Sequence, residues 1–298
     1  MSRFPIHDNH LHLTANGYRK QALRKFQQAG GTSLCIITTY KSYKDADTLE
    51  KYFDMASYYD QTYKYSLNAK EMGIKTQLAL GPHPNMITKY YNYSKSFEKT
   101  ESYIKNNIDS ALEYINKGKA QCLGEIGWPD DLFKNKDQQI MHSIETIDKL
   151  MTIAQNVMEY SFENCQENQT PIMLHTPTNM IYYQKSQELA CKYNIPEYKI
   201  MKHFSKPLFD KEQTKGITPS IILHQSVIKK LIRRTEALPK ENYLFETDYM
   251  DLKEDPNIVC PIDSVPRTVL NLYQQELLTE NDIYYIGQDL VDKIYNCN

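Results

Sequence analysis

Ile6-His7-Asp8-Asn9-His10-Leu11-His12-Leu13 reads as a short strand carrying two imidazoles two residues apart. Residues two apart in a strand point to the same face, so His10 and His12 project side by side. Two imidazoles held that close suit zinc and neighbouring divalent metals. A bare His-x-His pair is equally what two polar side chains at a strand end look like. The rest of the chain decides between these readings.

Further along, one design repeats. A short, mostly apolar run ends on or near a potential metal ligand in Ala120–Gly127 (Glu125), Pro171–Thr176 (His175), Tyr198–Phe204 (His203) and Asn242–Asp248 (Asp248). With the opening pair this makes four histidines and two carboxylates. A buried carboxylate or unpaired imidazole at a strand end is costly unless something satisfies it. One such group can find a hydrogen-bond partner. A set of them, each at the same relative place, points to a common destination, and a metal centre is that destination.

The runs also set the architecture. Strands are predicted near residues 6–12, 33–39, 75–81, 121–126, 171–176, 198–204, 218–224 and 242–248. Helical spacing or composition separates them, most clearly over Gln139–Glu163 and, rich in tyrosine, over Asp45–Met72. Strand–helix alternation of this kind implies an α/β fold with a parallel sheet and helices outside. Eight such units close into a (β/α)8 TIM barrel, in which side chains at the C-terminal ends of different strands converge on one metal site. A doubly wound open sheet would want a Gly-rich phosphate loop after the first strand, and none follows His12. The 298 residues show no linker, repeat or low-complexity tract, so 1–298 reads as a single barrel domain.

Composition narrows the function classes. A formal net charge of −2 gives no broad basic surface for nucleic acid. No apolar stretch is long enough to span a bilayer, and a cleaved leader would remove His10 and His12. Cys35, Cys122, Cys165, Cys191, Cys260 and Cys297 form no Cys-x-x-Cys pair and read as free thiols in a reducing cytoplasm. No membrane and no obligate protein partner are implied.

The order of motifs resembles the TatD family of metal-dependent hydrolases, within the amidohydrolase superfamily. The matching pieces are Asp8-Asn9-His10-Leu11-His12, Gly81-Pro82-His83-Pro84, Gly124-Glu125-Ile126-Gly127, Leu174-His175, His203-Phe204-Ser205 and Glu246-Thr247-Asp248. Trp128-Pro129 in place of the usual Leu-Asp, Asp248-Tyr249, and Val265-Pro266-Arg267 downstream look like the archaeal TatD-related branch. The resemblance implies two divalent ions (Zn, Mn, Co, Ni or Mg): one held by His10, His12 and Asp248, the other by His175 and His203, with Glu125 bridging. It implies a metal-bound hydroxide as nucleophile, Asp248 as the catalytic proton acceptor, and His83 as a substrate contact. The substrate would be a nucleic acid or a small molecule. Phosphodiester cleavage of the DNase or 3′-exonuclease kind is one reading. Hydrolysis of an amide, a lactone or a D-aminoacyl-tRNA ester is the alternative, and a non-catalytic metal-binding barrel is a third.

Other polar residues carry blander expectations. Asp8 either orients a ligand imidazole or makes a turn contact. Alternation sends His7 to the side opposite His10, towards the helices, and His142 falls within a helical segment. His224 ends the seventh strand without being a ligand. Arg267 reads as a loop-fixing salt bridge rather than a phosphate contact. Lys202, Lys206, Lys211 and Lys215, with Lys229, Lys230, Arg233 and Arg234, read as a solvated basic face. Thr176, Ser205 and Tyr249 are expected to line the pocket.

Overall fold

The computed structural model describes residues 4–40, 48–133, 142–177, 179–205, 211–223, 242–255 and 258–296. Its strands are β1 (His7–His12), β2 (Ser33–Ile37), β3 (Lys75–Leu80), β4 (Cys122–Ile126), β5 (Ile172–Leu174), β6 (Ile200–Ser205), β7 (Thr218–Ile222), β8 (Leu244–Glu246) and β9 (Tyr249–Met250). They form one curled nine-stranded sheet, in the order β8-β7-β6-β5-β4-β3-β2-β1-β9, with every pairing parallel. Strands β1 to β8 each overlap an expected run. The ninth is the new feature: the last run breaks at Thr247-Asp248, and Tyr249-Met250 then pairs with Leu11-His12 of β1.

The strands are apolar because both faces of the sheet are covered. Leu34-Cys35-Ile36-Ile37 shows the division of labour. Leu34 and Ile36 join the large outer core with the helices, while Cys35 and Ile37 join an inner core with Ala79, Cys122, Met173, Met201 and Leu244. The C-terminal helix Leu290–Tyr295 adds Leu290, Val291, Ile294 and Tyr295 to that inner core. It lies near the N-terminal ends of the strands, since Asn296 just beyond it accepts from the Lys199 Nζ immediately before β6. Gly287 lets this segment approach: a Cβ there would lie 1.9 Å from the Pro5 carbonyl oxygen.

The sheet curls far enough that β1 touches strands well removed from it in the order. Asn9 Nδ2 donates to Ser220 Oγ of β7 at 3.0 Å, and the His10 and His203 rings stack 3.7 Å apart.

The starts expected for two helices, at 139–141 and 45–47, lie outside the described residues. The long helix is described from Ile144, where the Ser143 side chain caps it by accepting from the Thr146 N–H. His142 therefore precedes the helix and packs on Tyr91. The tyrosine-rich stretch is two helices, Leu49–Tyr52 and Met55–Glu71, split where Asp54 caps the second. His224, Lys206, Lys229, Lys230, Arg233, Arg234 and Cys297 lie outside the described residues, as does the side chain of Lys211.

Lys202 is corrected. It is a buried β6 residue whose Nζ donates to the His203 carbonyl, not part of a solvated face. Arg267 pairs with Asp263 one helical turn before it. The five described cysteines are free thiols. No helix among the described residues is long and apolar enough to cross a membrane.

Candidate metal centre

Regular alternation alone would not bring the expected residues together. Three strands slip register where a candidate ligand stands: β1 between Asp8 and Leu11, β4 between Leu123 and Ile126, and β6 between Lys202 and Ser205. An extra residue in one strand re-aims the side chains beyond it. In β1 this turns both Asn9 and His10 to the concave face. It also corrects the expectation for His7, which lies on the concave side with Asn9 rather than among the outer helices. Its ring bonds Ser33 Oγ at 2.8 Å and approaches Asn9 Oδ1 at 3.4 Å. In β4 the slip falls at Gly124-Glu125, where a Cβ on residue 124 would come within 2.6 Å of Met173 Cβ. Glycine is what fits there.

The last ligand strand uses a break instead of a slip. Asp248 takes φ +48°, and its N–H donates to the His10 carbonyl at 2.9 Å. Asp8 fixes that corner. Its Oδ1 accepts from the Thr247 N–H at 3.0 Å and its Oδ2 from the Thr247 hydroxyl at 2.7 Å. Of the two roles open to Asp8, the turn contact is the one seen.

Together these devices place His10, His12, Glu125, His175, His203 and Asp248 around one point. His10 Nε2 and His12 Nε2 face each other at 3.1 Å. Glu125 Oε2 lies 3.8 and 3.9 Å from them, and Asp248 Oδ1 3.8 and 3.6 Å. Glu125 Oε1 lies 3.0 Å from His175 Nδ1 and 3.7 Å from His203 Nε2. A single buried carboxylate is thus ringed by four imidazoles. His83 stands next to them, its ring centroid 4.2 Å from that of His175, and forms a three-ligand group with Glu125 and His175.

The electrostatics follow from burial. His10, His12 and His203 are pressed below the ordinary imidazole value by loss of water, and His83 by burial and then His175 falls to about 3. Burial alone would raise Glu125, yet the imidazoles of His10, His203 and His175 hold it well below the carboxylate range. Asp248 is pushed up to about 8 by burial and then by Glu125. For His175 burial opposes protonation, but Asp130 and Glu125 lift it to about 9.

This donor set fits divalent cations. His10 Nε2 and His12 Nε2 converge with a Glu125 oxygen and an Asp248 oxygen, each oxygen 3.6–3.9 Å from both nitrogens, so that four potential ligand atoms face one point. The His203 Nδ1 is buried without a hydrogen-bond partner, although Glu246 Oε1 lies 3.0 Å away. The candidate metal groups among the described residues are nitrogen and oxygen donors without cysteine sulfur.

Two further residues belong to the site. Asp130 Oδ2 lies 3.6 Å from His175 Nε2, and Asn85 clamps Asp130 by donating to its Oδ1 at 2.9 Å and accepting from its N–H at 3.1 Å. Glu246, fully buried, backs His203. The signal for Glu246 was present in the chain: a carboxylate two residues before Asp248 repeats the spacing of His10 and His12. Asp130 offered only its place just after the Trp128-Pro129 step. Of the residues expected beside the pocket, Ser205 and Tyr249 have their hydroxyls tied to Tyr183 and Asp251.

Comparison with known proteins agrees with this geometry. An uncharacterised protein of the archaeon Methanocaldococcus jannaschii, MJ1127, is 23% identical over 99% of this chain and 97% of its own length. Among solved structures, a mutant of a PTE-like lactonase from Deinococcus radiodurans aligns with TM-score 0.58 at 13% identity, covering 99% of this chain and 96% of its own. A mutant of organophosphorus hydrolase aligns with TM-score 0.55 at 11% identity, covering 97% and 92%. Those likenesses speak to the fold. The family described as "TatD related DNase" matches residues 7–296, from the first imidazole strand to the C-terminal helix. With that span and the convergent donor set, the chain belongs to the TatD family and is a metal-dependent hydrolase.

Proposed function

We propose that this chain is a two-metal phosphodiesterase that trims nucleic acid in the manner of a 3′-exonuclease. The observation that carries the reading is Glu125, a buried carboxylate with one oxygen towards His10 and His12 and the other towards His175 and His203. A carboxylate between two cations screens their repulsion. His10, His12 and Asp248 would hold one ion and His175 and His203 the other, with Glu125 available to both. Zinc, manganese, cobalt and nickel suit this shell better than magnesium. When bound, the ions supply Lewis acidity and a nucleophile from water near neutral pH.

The chain's own residues do the rest. Asp248 faces His10 and His12 on one side and keeps 9% exposure on the other, so its carboxylate can take a proton from the attacking water and return it to the leaving oxygen. His12 Nδ1 pairs with Thr39 Oγ1 at 3.2 Å, which fixes which nitrogen faces the centre. His83, half-buried beside His175, meets the substrate. We read β8 and β9 as one strand interrupted at Thr247-Asp248. On that reading the sheet is an eight-stranded closed barrel and 1–298 one catalytic unit. The buried thiols Cys35, Cys122, Cys165 and Cys260 are consistent with a reducing cytoplasm.

The family's DNase description supports a phosphodiester over a carbonyl substrate. The test is turnover by the metal-loaded protein across single-stranded DNA, a small phosphodiester, a lactone and a D-aminoacyl-tRNA. Chelator-sensitive loss of nucleotides from a DNA 3′ end is the expected result. Lactone or ester turnover without DNA cleavage would replace the phosphodiester reading with the carbonyl one.

A further inference from the structure

Phe204 stands directly after His203 and is the one exposed residue of β6, with half its surface in water. Its φ is +52°, a region that a bulky side chain seldom adopts and that glycine would hold without strain. The turn is held by the carboxylate behind it, since the Phe204 N–H donates to Glu246 Oε1 at 2.7 Å. The ring lies edge-on to His203, centroids 5.7 Å apart with planes at 72°. A strained backbone thus presents an apolar ring to solvent at the edge of the metal centre, and burial of the ring does not offset the strain. Strain kept at such a place points to use.

Resting on the phosphodiesterase reading above, we propose that Phe204 is a stacking platform for the base next to the scissile phosphate. A phosphate engaged beside His203 places its sugar and base within a few ångströms of this ring. A flat apolar face there takes a base without regard to its identity, which suits an exonuclease. The overall charge of −2 leaves little long-range attraction for the backbone, so contact with bases has to supply affinity. The apolar rim continues on the β5 side. Met180 and Ile181, 45% and 62% exposed, open the helix whose Tyr183 hydroxyl meets Ser205 Oγ at 2.7 Å.

The test compares two single-stranded oligonucleotides, identical except that one lacks the base at its 3′-terminal nucleotide, on the metal-loaded enzyme. The native protein is expected to show a lower KM for the intact strand by about tenfold, the scale of one base stacked on one ring. Phe204→Ala should bring that ratio close to one, and Phe204→Tyr should keep it. An unchanged ratio in Phe204→Ala overturns the proposal. So does a full ratio in Phe204→Leu, which would mean simple apolar cover and not stacking. If the native holoenzyme cleaves neither strand, the phosphodiesterase reading falls and takes this proposal with it. Cleavage without base preference removes only the platform.

Discussion

Strand β1 feeds two polar clusters on the concave face, and they are built on opposite terms. The lower one joins His7, Asn9, Ser33, Gln77, Ser220 and Tyr295. Its donors and acceptors match: Asn9 donates to Ser220 and accepts from the Tyr295 hydroxyl at 2.8 Å, and Ser33 bonds both His7 and Gln77. The upper one joins His10, His12, Glu125, His175, His203 and Asp248, and its ring nitrogens and carboxylate oxygens crowd together with few protons to share. One register slip separates them. The lesson is that buried histidines mark a metal centre when their lone pairs converge, and mark structure when their hydrogen bonds close. Breaking members of each cluster should therefore give different signatures.

The largest effect is expected at Asp248, the upper carboxylate with access to solvent. Asp248→Asn should lower kcat by about 10²–10⁴-fold, the usual scale of a lost general acid–base group. Metal analysis of the same protein should show much of the metal retained, because an amide oxygen still ligates. Near-normal turnover would remove Asp248 from the chemistry and leave the upper cluster a binding site only.

Asn9 carries the opposite expectation. Asn9→Ala removes the acceptor of the Tyr295 hydroxyl bond and the donor to Ser220 Oγ, both buried, costing about 1–3 kcal/mol of stability. Chemical denaturation measures this. Metal content should match the native protein. Loss of metal without loss of stability would show that the two clusters are one network and undo the comparison.

Glu246 touches the upper cluster from behind. Glu246→Gln keeps an oxygen for the Phe204 N–H but takes the carboxyl group away from His203 Nδ1. Metal affinity measured by competition with a chelating dye should fall about tenfold, as is usual for a carboxylate behind a ligand imidazole. Unchanged affinity would make Glu246 a prop for the β6 turn alone.

These expectations differ in how far the chain itself announced them. That the candidate ligands converge was legible because chemistry at the ends of apolar runs repeats, and strands that short and apolar can be read locally. The slips at His10, Glu125 and His203 were not, because register depends on the neighbouring strand and period-two alternation assumes that none occurs. That assumption sent His7 to the wrong face. The break at Thr247-Asp248 was missed for a related reason: it depends on Asp8, far away in sequence, reaching across to Thr247. Lys202 looked like surface charge because composition says nothing of a side chain that curls back to its own strand.

The smallest effect concerns the metal-free protein and its response to pH. Asp8, raised by burial to about 7, and Asp248, raised by burial and then Glu125 to about 8, keep protons that the unfolded chain gives up near 3.8. His175, where burial is outweighed by Asp130 and Glu125, is lifted to about 9 from 6.5. Groups with raised folded values contribute stability at low pH and lose it as pH rises through those values. His7 and His83, lowered by burial to about 4 and about 3, have finished their contribution once pH exceeds the ordinary imidazole value. Lys202, lowered by burial to about 8, works in the other direction only above that point. Between pH 7 and 8 the raised acids and His175 therefore decide the sign, and the melting temperature of chelator-treated protein should fall by about 2–4 °C, the shift that roughly 1 kcal/mol gives in a chain of this class. Reloading with metal should flatten the slope, since a cation would hold Asp248 as its anion and take the place of the proton on His175 in the folded state. A metal-free protein that gains stability over that interval would mean that the upper cluster is satisfied by its own hydrogen bonds, like the lower one.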